Sequence, residues 1–214
     1  MRHLIKAFTT TLATKVLLTT TVLADDHNST KHFDGLYSGV ELGLQNIYGG
    51  AFIDNLDILQ RETKFIGSIL LGWRHQLDSS LVFGLEGQLG LTDGDLTRNE
   101  RNKSLNITYQ NSSQLAAGLT IGYALGTKKD WLLYSYVFAT RRDFDLSINI
   151  GNSHFTQEDR MGILRYGLGI EKQWQNGFGI KLTAGSNYTS FGDLTTNMDV
   201  NGKLEAAAGI VYQF

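Results

Sequence analysis

From Gly35 to the end of the chain one pattern recurs eight times: about ten residues in which apolar side chains alternate with polar or small ones, then a polar interruption. Successive side chains of a strand point to opposite faces, so each repeat reads as a strand with one apolar face. In the first, Leu36, Val40, Leu42 and Leu44 oppose Gly39, Glu41, Gly43 and Gln45. The second sets Phe65, Ile69, Leu71 and Trp73 against Ser68, Gly72 and Arg74. The third sets Leu81, Phe83, Leu85, Leu89 and Leu91 against Gly84, Glu86, Gln88 and Gly90, and the fourth runs from Leu115 to Tyr123 in the same way. The sixth, seventh and eighth place Arg165 and Glu171, Lys181, and Lys203 and Glu205 opposite their apolar faces. The fifth, Trp131 to Ala139, is apolar on both faces. There Leu132, Tyr134, Tyr136 and Phe138 are read as one face, with Tyr136 and Phe138 joining Phe65 and Tyr188 in a thin outer girdle of aromatics.

Eight such strands close either as a soluble barrel, polar outside, or as its inverse. The polar faces carry Glu41, Glu86, Glu171 and Glu205 against Arg74, Arg165, Lys181 and Lys203, interspersed with Gly, Ser, Thr and Gln. Small side chains and balanced charge suit a narrow lumen, whereas a solvated exterior requires neither. The opposite faces are continuously Leu, Ile, Val and aromatic, a surface that lipid accepts and water does not. The expected fold is therefore all-β: an eight-stranded antiparallel up-and-down transmembrane β-barrel over residues 35–214. Zero proline and 24 glycines fit it, because proline cannot donate to a ladder and glycine admits close neighbours. Zero cysteine excludes disulfides and thiolate chemistry.

Residues 1–24 stand apart, with Arg2, Lys6 and Lys15, no acid, and a short apolar stretch from Val16 to Leu23 before Ala24. This is the layout of a secretory signal peptide, too short in its apolar part to span a bilayer as a helix. A short periplasmic tail, 25–34, would follow. Without the leader, 16 basic residues face 21 acidic ones, so nucleic acid is not an expected partner.

The interruptions alternate long and short, as extracellular loops and periplasmic turns do, which puts both termini in the periplasm of an outer-membrane protein. Trp73, Phe83, Tyr123, Trp131, Trp174, Phe178, Tyr212 and Phe214 collect at the short-turn ends as an interfacial girdle. In the long interruptions Leu105, Ile107 and Tyr109 continue the phase of the fourth strand, and Phe144, Leu146, Ile148 and Ile150 that of the fifth. These runs imply strands projecting past the bilayer, with a hairpin tip over Asn149–Ser153.

The stretches Phe33-Asp-Gly35-Leu-Tyr37-Ser-Gly39, Gly84-Leu-Glu86, Gly122-Tyr123, Gly167-Leu-Gly169-Ile-Glu171 and Gly209-Ile-Val-Tyr212-Gln-Phe214 occur in this order. Together they resemble the family of small eight-stranded outer-membrane barrel domains of surface antigens, often labelled porin-family, over residues 33–214. The resemblance implies that Ile210, Tyr212 and Phe214 form the signal read by the outer-membrane insertion machinery. Two departures, Ser135-Tyr136-Val137-Phe138 in place of paired glycines and Thr120 in place of an inward arginine, imply a lumen arranged differently from the family's usual one.

For function, eight strands enclose only enough room for side chains, so a wide pore is not expected. The inward charges read as a salt-bridged plug, or alternatively as a gated path for small solutes or ions. Ser153 and His154, with Glu158 and Asp159 nearby, allow a hydrolase site to be drawn, but a lone histidine in a hydrophilic loop reads as a solvated side chain. No catalytic residue, metal site or cofactor is expected, although the resemblance makes His154 a candidate haem ligand. The expected role is structural and adhesive, through surface loops that meet a host or surface protein.

Overall fold

Alternation along the chain becomes alternation across a wall. In the computed structural model, which describes residues 31–53, 56–92, 95–100, 105–150, 153–190, 200–201 and 204–214, eight long strands form one antiparallel sheet. They are β1 (Gly35–Ile53), β2 (Leu56–Gln76), β3 (Leu81–Thr92), β4 (Leu105–Leu125), β5 (Trp131–Ile150), β6 (Ser153–Gln173), β7 (Phe178–Ser190) and β8 (Glu205–Gln213). Two short segments extend the wall: Asp95–Glu100 pairs with β4, and Val200–Asn201 with β7. Each strand pairs with its neighbours in sequence, and β8 pairs with both β7 and β1, from Tyr37↔Gln213 to Leu44↔Ala206. The sheet has no open side there, so it is a closed barrel. The proposed leader, 1–24, lies outside the described residues.

From Ile66 in β2 and along β3 the even positions point inward, as do the odd positions of β1 up to Gln45 and of β6 from Ile163, whereas the alternate positions face out. Leu42, Leu119 and Leu168 are 72%, 62% and 61% exposed, part of an unbroken apolar belt that in a water-facing protein would drive association. Against lipid the same belt is the stable arrangement, and every backbone group in it is satisfied by the closed ladder. This is a transmembrane β-barrel.

The connections at one end are tight. In both 77–80 and 174–177 the first residue's N–H bonds the carbonyl of the residue after the turn, and the fourth residue's N–H bonds the first's carbonyl. The fourth residue is left-handed in each, Ser80 at φ 72° and Gly177 at φ 82°. At the other end, what the alternation presents as long loops is mostly strand: β1 and β2 remain paired up to Ile53↔Leu56, and β5 and β6 up to Ile150↔Ser153. The chain reverses within the expected tip, whose residues 151–152 lie outside the described ones.

Two phase assignments change. An extra residue between Asn111 and Ser113 bulges β4, so Leu105, Ile107 and Tyr109 pair with Ile150, Ile148 and Leu146 and, despite the same odd parity, do not continue the face of Leu115 and Leu119. In β5, Leu132, Tyr134, Tyr136 and Phe138 do share a face, but it is the lumen face, and all four are buried. Trp131, Leu133 and Val137 face out instead, so Tyr136 and Phe138 belong to no girdle, while Phe65 is exposed outside and Tyr188 half-buried. The cause lies on the neighbouring strands. A Cβ on Gly169 would stand 2.2 Å from Cζ of Tyr134, and one on Gly118 would stand 2.4 Å from the Phe138 ring. Glycines on β4 and β6 leave room that only rings projecting from β5 fill, and a close-packed interior does not leave it empty.

Candidate functional site

Among the described residues, buried side chains occupy the lumen from the short-turn end up to Gln45, Gln114 and Arg142. At the short-turn end Phe33, fully buried, closes the floor: its N–H donates to Oε1 of Gln76 at 3.0 Å, and Val82, Ala124 and Leu132 belong to the same apolar cluster. Lys31 anchors this segment to the 77–80 turn by a 2.8 Å pair with Asp78.

Above the floor, Arg74 and Glu171, each two residues from the short-turn end of its strand, form a two-pronged pair at 2.8 and 2.9 Å. The fork geometry matches both carboxylate oxygens, the strongest form of such a pair. Tyr37 stacks beneath the guanidinium, 3.6 Å from Cζ to ring centroid, and donates its hydroxyl to Glu86 at 2.5 Å. Glu86 also accepts from Lys181 at 2.7 and 2.8 Å and from Gln88 at 2.7 Å, and Lys181 lies 3.6 Å from Glu41. Gln88 in turn accepts from Arg165 at 3.1 Å, and Arg165 donates to Glu205 at 3.2 Å while Asn187 holds the other oxygen of Glu205. Hydrogen bonds and one cation–π contact thus link six strands across the barrel axis. Low surrounding polarity makes each contact strong and each missing partner costly.

Seven of the eight sequence-assigned lumen charges are in this network: Glu41, Arg74, Glu86, Arg165, Glu171, Lys181 and Glu205, all buried. Lys203 lies outside the described residues. Sequence reasoning missed Arg142, counted there as loop. It is 2% exposed and points into the lumen above Arg165, where Nη2 donates to Gln45 at 2.8 Å and Gln114 at 3.0 Å. Its signal was available: Thr140 and Arg142 keep the even phase of Tyr136 and Phe138. Thr120 is half-buried on the inward face, its Oγ1 2.5 Å from where a Cβ of Gly84 would be.

Outside, Trp73, Phe83, Tyr123, Trp131, Trp174 and Phe178 are exposed at the short-turn end and Tyr212 is half-buried. Phe178, Tyr212 and Phe214 meet edge to face with centroids 5.0 and 5.1 Å apart, and Lys172 caps the Trp131 ring at 5.0 Å. Such rings, apolar with a polar tip, suit a membrane interface. Ile210, Tyr212 and Phe214 share the outward parity of the last strand.

The catalytic and haem alternatives rest on His154. Its Nδ1 meets Oδ1 of Asn149 at 2.5 Å and its Nε2 meets Oγ1 of Thr156 at 3.0 Å, so both ring nitrogens are engaged within the hairpin. His75 stacks on Trp73 and pairs with Asp34 at 3.0 Å. Among the described residues, no three His, Asp or Glu side chains converge as a metal site would require.

Solved structures similar to this chain are outer-membrane barrels. Ail, the attachment invasion locus protein of Yersinia pestis, is 14% identical over 85% of this chain and 99% of its own, with a TM-score of 0.48. Neisserial surface protein A is 16% identical over 85% and 98%, TM-score 0.44, and the N-terminal β-barrel domain of Pseudomonas aeruginosa OprF 13% over 85% and 98%, TM-score 0.37. No curated protein matches the sequence. The model of the outer membrane protein beta-barrel domain matches residues 12–214, and the chain belongs to that family.

Proposed function

We propose that this outer-membrane barrel is a surface protein with a structural and adhesion-type role, in which the lumen is a brace and the long hairpins are the working part. The observation that carries this reading is the continuous network from Arg74 to Glu205 above a fully buried Phe33. A passage for solutes would need that network to part, and breaking buried pairs costs several kcal/mol each, on the order of 3–5. The long hairpins lie outside the cell and both termini in the periplasm, consistent with tight turns at one end and extended pairing at the other. Outer-membrane lipid meets the apolar belt, and the insertion machinery reads the last strand. The engaged nitrogens of His154 favour no enzymatic role and no haem.

Two measurements test this. The refolded full chain in a planar bilayer is expected to be silent; channel events that change in E86Q or Arg165→Gln would establish the small-solute path instead. Intact cells carrying the protein are expected to bind a host or surface protein and to lose that binding when 144–155 is excised with the barrel still inserted. Unchanged binding would reject the adhesive role.

A further inference from the structure

Among the described residues the eight buried charges balance in number but not in position. Toward the short-turn end Glu41, Glu86 and Glu171 face two cations, Arg74 and Lys181, whereas toward the hairpins Arg142 and Arg165 face one carboxylate, Glu205. Both oxygens of Glu205 are already taken, by Arg165 and Asn187. Among the described residues Arg142, whose charged neighbours are Glu205 and Arg165, has no carboxylate bonded to it and only amide oxygens on Nη2. Among the described residues its Nε and Nη1 have no acceptor, and neither has Nε2 of Gln114, the residue whose oxygen Arg142 already holds. The hydroxyl of Thr140, one inward position before Arg142 on β5, is also unpartnered. Arg142 and Gln114 are each 2% exposed, so bulk water does not serve these donors.

A buried cation without a counter-ion is among the costliest arrangements a protein can keep, and here the N–H donors left over belong to Arg142 and to Gln114, two side chains already joined by a hydrogen bond. We propose that this end of the lumen binds a small monovalent anion of the chloride type, held by Arg142 and Gln114. A water molecule would satisfy donors but leave the charge. A divalent anion would overcompensate a single excess charge, and its desolvation cost, rising with the square of charge, would be roughly fourfold larger. Burial of every donor excludes polyanions and sugars.

The test is thermal unfolding of the full chain folded in detergent, in sodium chloride against sodium gluconate at equal ionic strength. Chloride alone is expected to raise the midpoint saturably, by on the order of a few degrees, because it binds only the folded state. Arg142→Met is expected to abolish the difference between the salts. Equal shifts in both salts, or a chloride-specific shift that persists in Arg142→Met, would overturn the proposal. Should Arg142→Met not fold, Gln114→Met decides: half-saturation moved to several-fold higher chloride supports the site, and an unchanged value overturns it. Crystals grown in bromide should show an anomalous peak beside Arg142; a site occupied by water alone would again overturn it.

Discussion

Lys181 crosses the lumen from β7 to Glu86 on β3 and sets its Nζ 2.7 and 2.8 Å from the two carboxylate oxygens, with Glu41 held at 3.6 Å. One cation therefore serves two buried carboxylates. Replacing it strands both, whereas neutralising Glu86 leaves Lys181 with Glu41. Lys181→Met is expected to cost about 3–5 kcal/mol and Glu86→Gln less, about 1–3. Urea unfolding in detergent, followed by tryptophan fluorescence, checks the order, and equal costs would mean that the pair is not shared.

Two lumen tyrosines make a controlled contrast. The Tyr37 hydroxyl donates to Glu86 at 2.5 Å, while the Tyr134 hydroxyl, equally out of solvent, has no partner. Tyr37→Phe should cost about 1.5–3 kcal/mol, the range for a hydrogen bond to a charged group, and Tyr134→Phe should be neutral or stabilising. The same unfolding assay separates them.

Gly169 should tolerate no side chain while Tyr134 is present. Gly169→Ala is expected to destabilise by about 1–3 kcal/mol through overpacking, and much of that cost should vanish in a background of Tyr134→Ala. Additive costs in the double variant would show that the ring is not what fills the space.

Acid sensitivity has a defined source at the turn before β5. The hydrogen bond from Lys172 holds the Asp130 carboxyl below the usual carboxylate range. Because the folded value is the lower one, the pair's contribution is complete above the unfolded value of about 3.9 and fades as pH falls through the folded one. The stability gap between the native protein and Asp130→Asn should be constant above about pH 5 and close on further acidification. A gap independent of pH would remove the pair as a contributor.

On the belt, position decides cost. Leu119, paired with Leu85 midway along the wall, should lose about 2–4 kcal/mol on replacement by Lys in a bilayer, and Leu125, the last residue of β4 before the connection 126–130, about 0–1. Refolding into lipid vesicles with urea titration reads both, and similar costs at the two positions would place the belt elsewhere.

Strand faces were legible wherever one face is polar, as in β3, because a period of two needs only a contrast between neighbours. β5 has no such contrast, and its phase is set by glycines on β4 and β6, a long-range fact. The bulge at Asn111–Ser113 leaves no mark on an alternation read from either side. Parity identified Glu86 and Lys181 as inward but could not say which carboxylate each cation meets, since that depends on strand order and tilt around the axis. Arg142 escaped because the polar run after Thr140 was taken as the end of the strand, although the ladder continues through Ile150.

The rings seated on glycines tie together positions that are far apart in sequence. Tyr37 occupies the space a Cβ of Gly72 would need, as Tyr134 does at Gly169, so interior volume is conserved across the lumen and not at either residue. The two positions are therefore sterically coupled: bulk added at 169 has room only where bulk is removed at 134. The barrel's interior can drift by exchange between facing strands far more readily than by change at one place.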